Sequence, residues 1–115
     1  MNIFYNIFYN CVQNNGRNVI ESPLAYDGER YRIDFDDLES KLKNKQTSML
    51  LLCNPQNPAG IIWSREELAK IGELACDNGV IIICDEVHCD LTLPNKGYVP
   101  FVSVSDKCRD NSIIC

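Results

Sequence analysis

The run SMLLLCNPQNPAGIIWSREELAKIGELACDNGVIIICDEVHCD, residues 48–90, passes from an unbroken apolar stretch to a helical repeat and back. Residues 48–53 are nearly continuous in aliphatics, the pattern of a strand covered on both faces in a parallel sheet. The segment NPQNPAG, residues 54–60, comes next, and its prolines and glycine forbid regular structure there. Ser64 then opens Ser-Arg-Glu-Glu, a capping box with Glu67 as its far member. Leu68, Ile71, Leu74 and Ala75 recur as the buried stripe of a helix that should end near Asn78-Gly79. Residues 80–84 are a second buried strand, and residues 112–115 fit another. Strand, helix, strand at this spacing is a βαβ crossover, right-handed in nearly all proteins. The expected class is therefore α/β, with βαβ units of a mostly parallel sheet flanked by helices.

In such sheets ligands collect outside the carboxyl ends of the strands. NPQNPAG and the polar cluster DEVHCD, residues 85–90, both begin at such ends, so neighbouring strands deliver polar residues to one rim. Residue types alone leave several uses open. NPQNPAG can be a double turn, since Asn-Pro and Pro-Ala-Gly form turns wherever they occur. Asp85, Glu86, His88 and Asp90 can be a solvated strand end, a metal site or a grip on a cofactor. Carboxylates with one His could ligate zinc or manganese. However, His88 is the only His in the chain and no Cys-x-x-Cys supplies zinc spacing, so no metal is expected.

The flanking segments are plainer. Ile3, Phe4, Ile7, Phe8 and Val12 fall at helical spacing, which predicts an amphipathic helix ending at Asn15-Gly16. Residues 18–21 read as a short strand. Asp34 is a suitable N-cap for a helix over residues 35–44, with acids in its first turn. The chain has 115 residues, 45% of them hydrophobic and 23% charged, enough for one modest core. Its net charge of -5 and its scattered lysines argue against nucleic acid as a partner. The apolar runs are strand-sized, far below the roughly 20 residues of a membrane helix, so no membrane span is expected. Seven cysteines without a paired motif suit a reduced, cytoplasmic protein rather than a disulfide framework.

Residues 51–91, with Asn-Pro-x-Asn-Pro-x-Gly followed by a strand ending in Asp-Glu-x-His, resemble the fold-type I pyridoxal-phosphate (PLP) enzymes of aminotransferase classes I and II. Within them the chain is most similar to the MalY/PatB-like cystathionine beta-lyase branch. Residues 18–34 also resemble that branch, so the likeness covers nearly the whole chain. It implies the central part of a PLP-binding large domain, acting on a small amino acid such as cystathionine or cysteine, as a C–S beta-lyase or an aminotransferase. A noncatalytic remnant or binding module is the alternative. By resemblance Asp85 is the carboxylate that keeps the pyridine nitrogen protonated. Asn57 corresponds to the residue that hydrogen-bonds the ring hydroxyl oxygen, and His88 stands where relatives carry a Tyr near that oxygen.

The resemblance puts Tyr5 on the ring face, with Tyr9 a rival because Asn-Ile-Phe-Tyr occurs twice, and expects a cis Asn57–Pro58 bond. Asn54 reads as a turn former, while Glu86 and Asp90 receive no role. The Schiff-base lysine would fall a few residues beyond Cys115, and none of the chain's own lysines matches it. An inactive domain of marginal stability follows, incomplete over residues 1–115, from a parent that resembles homodimeric enzymes.

Overall fold

The computed structural model describes residues 6–92 and 97–115. Helix α1, Asn6–Asn14, leads into two short paired strands, β1, Ala25–Tyr26, and β2, Tyr31–Arg32. Then come α2, Phe35–Leu42, β3, Met49–Cys53, α3, Arg65–Asp77, and β4, Ile81–Asp85. A 3-10 turn, Phe101–Ser103, precedes α4, Asp106–Asp110, and β5, Ser112–Ile114. Strands β3, β4 and β5 form one parallel sheet in that order, with Cys53 opposite Asp85 and Cys84 opposite Ile114. The α/β architecture is the expected one.

Local chemistry sets the helix ends. Asp34 Oδ1 accepts from the Asp37 amide at 3.0 Å and starts α2. The capping box of α3 is complete: Ser64 Oγ accepts from the Glu67 amide at 3.2 Å, and Glu67 Oε2 accepts from the Ser64 amide at 2.8 Å. Gly79, at φ 68°, reverses the chain after α3 while the Val80 amide bonds back to Ala75 O at 2.9 Å. A side chain is strained in that left-handed conformation, so glycine belongs there.

The core lies on one face of the sheet. Ile82 and Cys84 of β4 pack with Leu38 and Leu42 of α2, Leu68, Ile71 and Ala75 of α3, Phe101 and Cys108. The opposite face carries Met49, Ile81 and Ile113, each about half exposed. Two-sided coverage of β3 was the expectation from its unbroken aliphatics. Among the described residues that coverage is one-sided, because α2, α3 and α4 all contribute to the same cluster. The short strand expected over residues 18–21 does not form; pairing occurs instead where Asp27-Gly28 lets β1 turn back onto β2.

Helix α3 meets α4 at a point that only glycine permits. A Cβ on Gly72 would stand 2.3 Å from Cys108 Sγ and 3.6 Å from Phe101 Cζ, and both neighbours are fully buried. Gly72→Ala is expected to destabilise by about 1–2 kcal/mol, overlap of roughly 1–3 kcal/mol outweighing about 1 kcal/mol of helix propensity. In a Cys108→Ala background the overlap is gone and the same change should stabilise. Urea unfolding of the four proteins checks this; simple additivity would remove the contact as the cause.

Candidate active site

Two loops leave adjacent strands at the carboxyl edge of the sheet. The first, after β3, is rigidly built. Asn54 is fully buried; its Nδ2 donates to Val99 O at 2.9 Å and to Glu86 Oε1 at 3.3 Å. The Gln56 amide donates to Ile61 O at 2.7 Å, and the Trp63 indole, 2% exposed, donates to Cys53 O at 2.9 Å. Those bonds fold the loop back on its own strand. Both Asn54–Pro55 and Asn57–Pro58 are cis, the second as expected and the first beyond expectation.

The second loop, after β4, begins with Asp85 Oδ1 accepting from the Val87 amide at 3.0 Å. Successive turns follow, with Cys89 N donating to Glu86 O and Leu91 N to His88 O. The backbone ties the loops together, since the Asn54 amide donates to Asp85 O at 2.9 Å.

Between the loops lies a cleft of about 240 Å³, onto which Asn57, Asp85 and His88 all open beside Phe8, Cys53 and Pro55. A second hollow of about 310 Å³ shares Pro55, Asn57 and His88 with it and adds Ile62 and Leu91. Asp85 Oδ2 and the side chains of Asn57 and His88 have no hydrogen-bond partner among the described residues. Their hydrogen-bonding capacity is directed at whatever fills the cleft. A carboxylate, an amide and an imidazole beside an aromatic ring and an apolar wall suit a flat heteroaromatic ring with a protonated nitrogen and a ring oxygen. The residues present therefore fit pyridoxal phosphate.

The structure thus brings together three of the four expected site residues; Tyr5, the fourth, lies outside the described residues. Tyr9, its rival, is turned to Glu21, its hydroxyl donating to Oε1 at 2.6 Å, and burial with that bond raises its pKa to about 12. Phe8 supplies the aromatic wall instead. It was legible only as one apolar residue in the stripe of α1. No group of three or more His, Cys, Asp or Glu among the described residues could hold a metal ion. Asp90 is exposed and does not line the cleft. No lysine lines it among the described residues either.

Two residues have other roles than their sequence suggested. Asn54 is a buried strut, not merely a turn former, because its side-chain Nδ2 donates to Val99 O and to Glu86 Oε1. Glu86 is 8% exposed and accepts from the Phe101 amide at 2.8 Å. Strand alternation carries the signal for Glu86, which shares parity with buried Ile82 and Cys84 and so points into the core.

Cys53 stands in the cleft with its thiol pushed up to about 11 by burial and then by the Asp85 charge, against the Asn57 amide. All seven cysteines are free, and Cys11 and Cys115 are exposed. At pH 8, iodoacetamide should modify Cys53 on the order of a hundredfold more slowly than either exposed thiol, since the thiolate is the nucleophile. Peptide mapping over time reads the rates, and equal labelling would mean that the cleft leaves Cys53 unshielded.

A parallel βαβ sheet with an aromatic-walled carboxylate cleft at its carboxyl edge is the arrangement of the PLP-dependent aminotransferase fold, and the chain belongs to the class I and II aminotransferases, whose family model matches residues 1–115. This family is PLP-dependent. The chain is 45% identical over 111 residues to cystathionine beta-lyase PatB of Bacillus subtilis (strain 168), covering 96% of this chain and 29% of that protein. Cystalysin from Treponema denticola, whose crystal structure contains a pyridoxal 5'-phosphate cofactor, matches with a TM-score of 0.91 at 34% identity. That match covers 96% of this chain and 28% of cystalysin. The PLP-bound C–S lyase from Staphylococcus hominis matches at a TM-score of 0.87 and 34% identity, with the same 96% and 28% coverage. The chain spans less than a third of the length of these relatives. Among the described residues no helix is long and apolar enough to cross a membrane.

Proposed function

We propose that the chain is the central part of the PLP-binding large domain of a C–S beta-lyase acting on cystathionine or cysteine. The observation that carries this reading is the shared cleft, where Asp85 Oδ2 and the side chains of Asn57 and His88 stand without partners among the described residues, beside Phe8. When bound, pyridoxal phosphate supplies an electron sink for the amino acid's alpha carbon, and it does so best with its ring nitrogen protonated.

This chain's residues would hold that state. Asp85 keeps the proton at the ring nitrogen, since a partly buried carboxylate and a pyridinium stabilise one another's charge. The Asn57 amide donates to the ring oxygen, with His88 beside it. Phe8, and Tyr5 by resemblance, cover the ring and limit water. No lysine lines the cleft among the described residues, so these 115 residues are expected to bind the cofactor without turnover.

The lyase reading over transamination rests on the Asp-Glu-x-His form and on 45% identity to a cystathionine beta-lyase. Assay of the enzyme that contains this chain separates the two outcomes. Thiol and pyruvate released from cystathionine or cysteine are expected; a keto acid formed without thiol would make it an aminotransferase. The same reading includes a small amino-acid substrate, a homodimeric parent and a cytoplasmic location.

A further inference from the structure

Glu86 lies outside the cleft, yet two distant segments and its own strand converge on its carboxylate. Oε1 accepts from the Phe101 amide at 2.8 Å, from Asn54 Nδ2 at 3.3 Å and from the Cys84 thiol at 3.6 Å. The Tyr98 hydroxyl faces the same side chain, its pKa raised by burial and then by the Glu86 carboxylate. Among the described residues Glu86 belongs to no ion pair, so hydrogen-bond donors alone offset its burial. An apolar side chain of similar volume would fill the space at less desolvation cost. What such an apolar side chain lacks, and the Glu86 acceptor oxygen provides, is a directional link between Asn54, which begins the loop bearing Asn57, and the strand end bearing Asp85 and His88.

We propose that Glu86 is a positioning residue whose buried carboxylate staples the two rim loops and so sets the spacing of Asn57 from Asp85. Its effect on cofactor affinity rests on the function proposed above; the staple itself does not. The Asn54 amide reports on it, because that group bonds to Asp85 O and is not itself a partner of Glu86.

Amide hydrogen exchange on the cofactor-free 115-residue chain, followed by titration with pyridoxal phosphate, tests the proposal. In Glu86→Ala, exchange at Asn54 and Phe101 should quicken at least tenfold while Ile71 in α3 changes less than twofold. Cofactor affinity should fall at least fivefold. Glu86→Gln keeps an acceptor oxygen for Phe101 and Asn54 and should return both readouts to within about threefold of the starting protein. If Glu86→Ala does not fold, Glu86→Asp keeps the charge, loses the reach and should give the same selective loss at Asn54. Unchanged protection at Asn54, or equal loosening at Ile71, would overturn the staple. Failure of the unsubstituted chain to bind pyridoxal phosphate would instead overturn the cofactor reading, and the exchange pattern would still decide the staple.

Discussion

Asp85→Asn is expected to weaken pyridoxal phosphate binding about a hundredfold, equivalent to about 2.7 kcal/mol. The substitution is close to isosteric, and its side-chain oxygen can still accept from the Val87 amide, which Asp85 Oδ1 does now at 3.0 Å. The turn that presents the side chain is thereby preserved. What disappears is the negative charge at Oδ2, the atom on the cleft without a partner among the described residues. A charge-assisted bond to a pyridinium becomes a neutral contact of roughly half the strength, and the charge that favoured ring protonation is lost. Spectrophotometric titration measures the affinity. A loss below about threefold would mean that Asp85 is not the ring-nitrogen partner.

Leu68→Ala is expected to destabilise the fold by about 3 kcal/mol, within the 2–5 kcal/mol typical of such truncations. Leu68 is fully buried on α3, at the centre of the cluster joining α2, α3, β4 and α4. Its neighbours hang on separate elements anchored by their own caps, so they cannot all close on the cavity. The sheet's other face, with Met49, Ile81 and Ile113 half exposed, adds little burial to compensate. At about 4–8 °C per kcal/mol, the melting temperature should fall by more than 10 °C. Urea unfolding should show a lower midpoint at unchanged slope. A change under about 1 kcal/mol would place the fold's main stabilisation elsewhere.

Legibility in the sequence tracked how local the cause of each feature was. The capping box at Ser64, the stripe of Leu68 and Ile71 and the aliphatic run over residues 80–84 depend on neighbours within a few positions. Each formed as read. The paired loops at the strand ends also followed, because strand, helix and strand in this order put both carboxyl ends on one edge. The role of Phe8 did not, since a helical stripe identifies its apolar residues without saying which of them reaches a cleft. Nor did the site of the antiparallel pair: residues 18–21 have the apolar content of a strand, but β1 and β2 have the turn between them.

By itself the sequence determined the α/β class, the βαβ unit and the rim to which residues 54–60 and 85–90 deliver their polar groups, since hydrophobic period and turn chemistry are local properties; Asn57, Asp85 and His88 were singled out there by family resemblance. Only the tertiary structure decided that Asn54 is a strut, that Glu86 is a buried acceptor and that Gly72 admits Cys108. Those roles arise from contacts between residues 32, 15 and about 36 positions apart, and it is the packing of separate elements that brings such partners within bonding distance.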